Sequence, residues 1–194
     1  MKKEQIQKIN QLKEIEVDHA KAWIDYWIKY SSFDDWQFWV ILGFLIVPLI
    51  FLFFFMDRSK SLLLGFYGYN VHVFFTYIDL FGTNNTYWFY PYKLLPILPS
   101  SFALDAVFVP VSYIFVYQWA LNHNKNYYLS IIGLSIILAF VIKPIMEALR
   151  LVQFDKGANF LHLLFGYILV GIVAKQVTNL FLYLQNKSHK SVKS

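Results

Sequence analysis

The sequence predicts an all-α membrane protein, a bundle of five transmembrane helices preceded by an amphipathic interfacial helix. Three observations predict it. Of 194 residues, 58% are hydrophobic and only 15% charged, where a soluble domain carries about a quarter charged residues, and the mean hydropathy is +0.45. Aromatic residues make up 21%, with 20 Phe, 14 Tyr and 6 Trp, more than one small core needs and suited to lipid-facing helices and interfacial belts. Charge-poor stretches long enough to cross a bilayer, which takes about 20 residues, recur along the chain.

The first unit, residues 1–33, is different in kind. Ile6, Ile9, Leu12, Val17, Ala20, Ile24, Trp27 and Ile28 recur at spacings near three and four with Lys and Glu between them, the pattern of an amphipathic helix. Such a helix lies along the membrane interface; a coiled-coil arm pairing two chains is the alternative reading. No apolar signal-peptide core precedes it, so insertion is expected to use the first spanning helix, uncleaved. Ser31 or Ser32 can end the arm, and Asp34 or Asp35 can cap the next helix.

Residues 34–186 form the transmembrane domain, with spans expected at about 37–56, 61–81, 101–121, 128–147 and 158–184. The first has no charge at all and no polar face to show water. The second is more polar but long enough. Residues 187–194 form a basic tail with three lysines. The tight "DRSK" turn and this tail favour a cytoplasmic C-terminus and an outside N-terminus, a slight preference because six lysines of the N-terminal arm oppose it.

Ionisable residues inside spans cost about 2.5–3.5 kcal/mol each and turn towards protein or water. Asp79 ends the second span, Asp105 begins the third, Lys143 and Glu147 close the fourth, and His162 begins the fifth. Alternating helix directions put all five in one membrane half. His72, Thr76 and Asp79 share a helix face, and Lys143 and Glu147, four apart, can pair. Pro110 and Pro144 free the carbonyls of Ala106 and Phe140 and can open a pocket between helices. Beside this cluster runs the loop "TNNTYWFYPYKLLPILPS", 83–100, whose aromatics suit the headgroup layer and whose prolines stiffen it. It is expected to fold back as a lid. The candidate ligand-binding set is Asp79, Tyr90, Tyr92, Lys93, Asp105, Lys143, Glu147 and His162, with no catalytic or metal residues assigned.

Other chemistry is excluded or unsupported. The chain has no Cys, hence no disulfide, thiol nucleophile or Cys-based zinc site, and five scattered His lack metal-ligand spacing. No cofactor is implied. Nucleic acid is a poor partner for a net charge of +5 spread without a basic stripe. The expected partners are membrane lipids, a membrane-protein partner or a second copy of the chain. Three function classes remain: a non-enzymatic component binding a lipid, small amphiphile or partner protein at the polar pocket; a transporter or proton-coupled permease subunit using Asp79, Glu147 and His162 as a relay; and an intramembrane enzyme on an isoprenoid-like lipid.

The stretches "DYWIKYSSFDDWQFWVILGFLIVPLI", "MDRSKSLLLGFYGYNVHVFFTYIDLFG" and "YPYKLLPILP" followed by "VPVSYIFVYQW" resemble a family of small multi-spanning membrane proteins of endospore-forming Gram-positive bacteria. The likeness covers roughly residues 12–150, including Asp57-Arg58, Asp79, Tyr90-Pro91-Tyr92, Pro99, Asp105, Pro110, Tyr117-Gln118 and Pro144. It implies a bacterial cytoplasmic-membrane protein in spore-related physiology, and no functional residues transfer from it. A fainter likeness, through Asp79, Trp88, Tyr90 and Pro99, is to membrane lycopene cyclase domains. Those enzymes place paired acids after the proline; "PSSFALD" has only Asp105 there, which removes the catalytic pair.

Overall fold

The computed structural model describes residues 1–98 and 100–191, with the side chains of 188–191 outside the description. Pro99 and the tail residue Lys193 therefore lie outside the described residues, as does the side chain of Lys190.

The all-α class is as the sequence predicts. In chain order the helices are α1 (Lys3–Tyr30), α2 (Trp36–Phe55), α3 (Ser61–Asn84), α4 (Val109–Asn122), α5 (Tyr127–Ile137), α6 (Lys143–Ala148) and α7 (Phe160–Ser191). Single π turns, Leu104–Phe108 and Leu138–Ile142, lead into α4 and α6. The tail expected from residue 187 continues as helix to Ser191.

Among the described residues four helical stretches are long and apolar enough to cross a membrane: Trp36–Phe55, Leu104–Asn122, Tyr127–Ala148 and Phe160–Lys187. This is the pattern of a multi-pass membrane protein, with four of the five expected spans meeting both length and apolarity. The expected span 61–81 is α3, which has the length, 24 residues, or about 36 Å, but not the apolarity. Its polar residues serve the interior, where Asn70 and Asp79 are buried. α3 runs antiparallel to α7, Phe66 meeting Phe181 and Phe75 stacking on Tyr167, and antiparallel to α4, Gly68 lying against Ile114 and Tyr67 against Tyr117.

α2 shows why the bundle needs lipid. Phe53, Phe54 and Phe55 are 69%, 70% and 63% exposed, and leaving each ring in water forgoes on the order of 2 kcal/mol. Asp35 occupies the N-cap position of α2, yet its side chain makes no capping bond. The turn from α2 into α3 is pinned instead by Gln118, which accepts from Asp57 N–H at 2.7 Å and donates to the Phe55 carbonyl at 2.9 Å.

The interior away from the lid is built on tyrosine. Tyr127 donates to the Gly171 carbonyl at 2.7 Å, so Tyr67 is the donor in its 2.7 Å bond to Tyr127. Tyr113 donates to the Tyr167 carbonyl at 2.8 Å. These three tyrosine hydroxyls thereby each have a partner, which burial favours. Lys175 at this end is bonded to the Tyr117 hydroxyl. A second apolar cluster, with Ile41, Tyr90, Leu104, Met146 and Leu151 at its centre, lies under the loop at the other end.

Candidate functional site

Two prolines shape the site. Pro110 and Pro144 lack the N–H a regular helix needs, and each is preceded by a π turn. There Val109 N–H bonds Leu104 and Lys143 N–H bonds Leu138, one residue further back than in an α-helix. The extra residue rotates the helix beyond it. Asp105 lies inside the first turn and Lys143 directly after the second, and both side chains are buried, 2% and 4% exposed.

Asp79, 3% exposed, sits near the end of α3. Its Oδ1 accepts the Trp88 indole N–H and the Tyr90 hydroxyl, each at 2.8 Å. Tyr90 in turn accepts from Lys143 Nζ at 3.1 Å. Among the described residues the one direct ion pair is Lys60–Asp57, so Lys143 reaches the acids through the Tyr90 hydroxyl. Burial, with Asp79 and Asp105 beside it, pushes the Tyr90 hydroxyl well above its ordinary value and keeps it a donor.

The lid is held by a short antiparallel ladder, β1 (Trp88–Phe89) against β2 (Gln153–Phe154), which pairs Trp88 with Phe154 and Phe89 with Gln153. Asp155 N–H extends it by donating to the Tyr87 carbonyl at 2.9 Å. The Trp88 ring lies on Gly82, where a Cβ would coincide with the indole. The Asp105 carboxyl lies beside Asp79 and Ser100, yet neither of its oxygens has a donor; its carbonyl meets His72 Nδ1 at 2.8 Å.

The predicted residues thus separate. Asp79, Tyr90, Asp105 and Lys143 come together. His162, exposed, stands at the edge: with Asp79, Lys143, Trp88 and Tyr167 it lines a cavity of about 30 Å³. Glu147 is apart. On α6 Lys143 and Met146 are buried and set the inward direction midway between them. Glu147, one step of about 100° beyond Met146, is exposed at the margin of that face, and no Lys143–Glu147 pair forms. Glu147 instead lines a groove of about 400 Å³ with Tyr92, Arg150 and Tyr26. Lys93 faces α1 rather than the acids. Its Nζ lies 3.5 Å from the Trp23 ring centre and donates to the Leu98 carbonyl at 2.9 Å. Its N–H donates to Ser31 Oγ and its carbonyl accepts from Trp27. Burial lowers its ammonium from 10.5 to about 8.

Sequence reasoning missed Tyr167 and the clasp of Trp23 and Trp27. Nothing in spacing separates Tyr167 from the other tyrosines. A groove of about 470 Å³ lined by Phe81, Tyr87, Lys156 and Ala158 shares Ile78, Trp88 and His162 with the small cavity. Among the described residues no group of three His, Cys, Asp or Glu is placed to hold a metal ion. Comparison with known proteins gives no match: no family model, no curated protein and no solved structure aligns with the chain.

Proposed function

We propose that the chain is a non-enzymatic membrane component that binds a lipid or small amphiphile through the groove leading to the Asp79–Lys143 cavity. The observation that carries this reading is continuity: Ile78, Trp88 and His162 belong to the walls of both spaces. A volume of about 470 Å³ falls in the range of small-molecule sites. Phe81, Tyr87, Trp88 and Ala158 offer an apolar wall for a chain, Lys156 offers a cation at the rim, and the inner end is polar. The inner cavity, about 30 Å³, admits water but no headgroup. An amphiphile therefore lies in the groove and meets the buried acids through water.

We further propose that α3 crosses the membrane inside the bundle, antiparallel to α4 and α7, and that the membrane is the cytoplasmic membrane of an endospore-forming Gram-positive bacterium, with the N-terminus outside and the C-terminus inside. The resemblance of residues 12–150 to that family and the basic turn after α2 support this. In that orientation the groove belongs to the outer membrane half.

The test is native mass spectrometry of the full chain purified from its own membranes, wild type beside Ala158→Trp, which fills the groove. A discrete bound mass retained by wild type and lost from the variant is the expected result. A wild type with no retained mass overturns the reading.

A further inference from the structure

Three acidic oxygens inside the bundle have no donor. Asp79 Oδ2, Asp105 Oδ1 and Asp105 Oδ2 are all buried and unpartnered. Leaving an ionised carboxylate in that state costs several kcal/mol, and the two side chains lie next to each other, within reach of a shared hydrogen bond. Two adjacent buried carboxylates with no donor on the facing oxygens do not both ionise; a proton between them converts repulsion into a short, strong O–H···O bond.

We propose that Asp79 and Asp105 hold one exchangeable proton between them, a proton-binding site inside the bundle reached through the cavity at His162. Charge agrees with this. Two carboxyls sharing a proton carry one negative charge, and the Lys143 ammonium, linked through Tyr90, carries the matching positive one. The remaining groups facing the pair add no second cation in contact. From α3 comes His72, engaged with the Asp105 carbonyl; from the lid, Tyr90 and the more distant Lys93, which faces Trp23; from α7, Tyr167 and His162. α2 has no titratable side chain at all.

The cavity supplies the route. Its volume of about 30 Å³ holds one or two waters. Asp79 and Lys143 form its inner wall and the exposed His162 its outer one. Exchange is balanced. The acid O–H bond breaks as its proton passes to a cavity water, and a proton from that water chain re-forms the bond, leaving the charge of the pair unchanged. This site stands whether or not an amphiphile occupies the groove.

Infrared spectroscopy of the full chain in lipid nanodiscs at about pH 8 tests it, because exposed carboxyls, with ordinary values near about 4, are then ionised. Wild type is expected to show a protonated carboxylic-acid carbonyl band that shifts down in D₂O, and Asp79→Asn and Asp105→Asn are each expected to lose it. A wild type without the band overturns the proposal whatever the variants do, and so does a band that survives in both variants. The route has its own probe. Gly166 lines the cavity and a Cβ there meets nothing within 4 Å, so Gly166→Leu should slow the D₂O shift. An unchanged rate overturns access through the cavity.

Discussion

The indole N–H of Trp27 donates to the main-chain carbonyl of Lys93 at 2.7 Å, tying the N-terminal helix to the loop that covers the buried acids. The clasp is local. Trp23 covers the Lys93 ammonium and stacks on Phe89 at 5.1 Å, and Ser31 receives the Lys93 N–H. Leu12, Ile15 and Val17 further back along α1 are 60%, 64% and 51% exposed.

Breaking the clasp is therefore expected to free the arm before it disturbs the bundle. Trp27→Phe removes one hydrogen bond, worth about 1 kcal/mol, and Trp23→Ala removes the cation–π contact and the stack, about 1–3 kcal/mol together. Limited trypsin digestion should cut at Lys21 and Lys29 faster in both variants. Leu12→Ala, which touches no part of the clasp, should leave the rate unchanged. Equal rates for all three proteins would mean that α1 is held by something other than Lys93.

Lys93 also gives the lid a pH dependence. Its ammonium is lowered from 10.5 to about 8, so in the folded chain it gives up its proton earlier than in the unfolded chain. Below about pH 8 both states are charged and the cost of burying the ammonium is fully present. Between about pH 8 and 10.5 the unfolded state binds more protons, and stability rises with pH. The gain is at most about 2 kcal/mol once solvent screening is allowed for. The thermal midpoint of wild type should climb across that window relative to Lys93→Met. Parallel profiles for the two would remove Lys93 as the cause.

How much of this is legible in the sequence depends on which physical signal each feature leaves. Long apolar stretches report membrane helices, and composition alone finds all four. α3 agrees with the expected second span in length and direction, but Asn70, His72, Thr76 and Asp79 lower its apolarity, because part of its polar face meets protein rather than lipid. The meeting of Asp79, Asp105 and Lys143 comes from alternating helix direction, which the order of the spans contains. The departure of Glu147 does not, because it depends on the π turn before Pro144 and on which face α6 turns inwards. The position of Lys93 is hidden for another reason. Its partners Trp23, Trp27 and Ser31 lie more than 60 residues away, and no local pattern carries that information.

Gly82 tests the seating of Trp88. An added methyl there would occupy the space of the indole ring, a rigid group that cannot bend aside, so Gly82→Ala must expel Trp88 and break its bond to Asp79. Overpacking and the lost bond together are expected to cost about 2–4 kcal/mol. Gly65 and Gly133 lie in helices with open space around them, and Ala at either should gain about 0.5–1 kcal/mol from helix propensity. Thermal unfolding in one detergent separates the cases. A tolerated Gly82→Ala would show that Trp88 is free to leave its seat.

The buried charges make the last prediction asymmetric. Lys143→Met leaves the Asp79–Asp105 pair negative with no cation linked to it, and breaking a buried pair from one side costs about 3–5 kcal/mol. Asp105→Asn leaves the charge balance as it is. It keeps Asp79 and Lys143 as one acid and one base joined through Tyr90, and the new amide can donate to Asp79 Oδ2, which has no donor in wild type. That single change should cost less than about 1 kcal/mol, or stabilise. Because Asp105→Asn changes no charge in either background, the cost of the double variant should match the sum of the single costs to within about 0.5 kcal/mol. Unfolding measurements on the four proteins close the cycle. A coupling well above about 1 kcal/mol would mean that Asp105 is ionised and balances Lys143 directly, and the neutral, proton-sharing centre inferred for this end of the bundle would then fall.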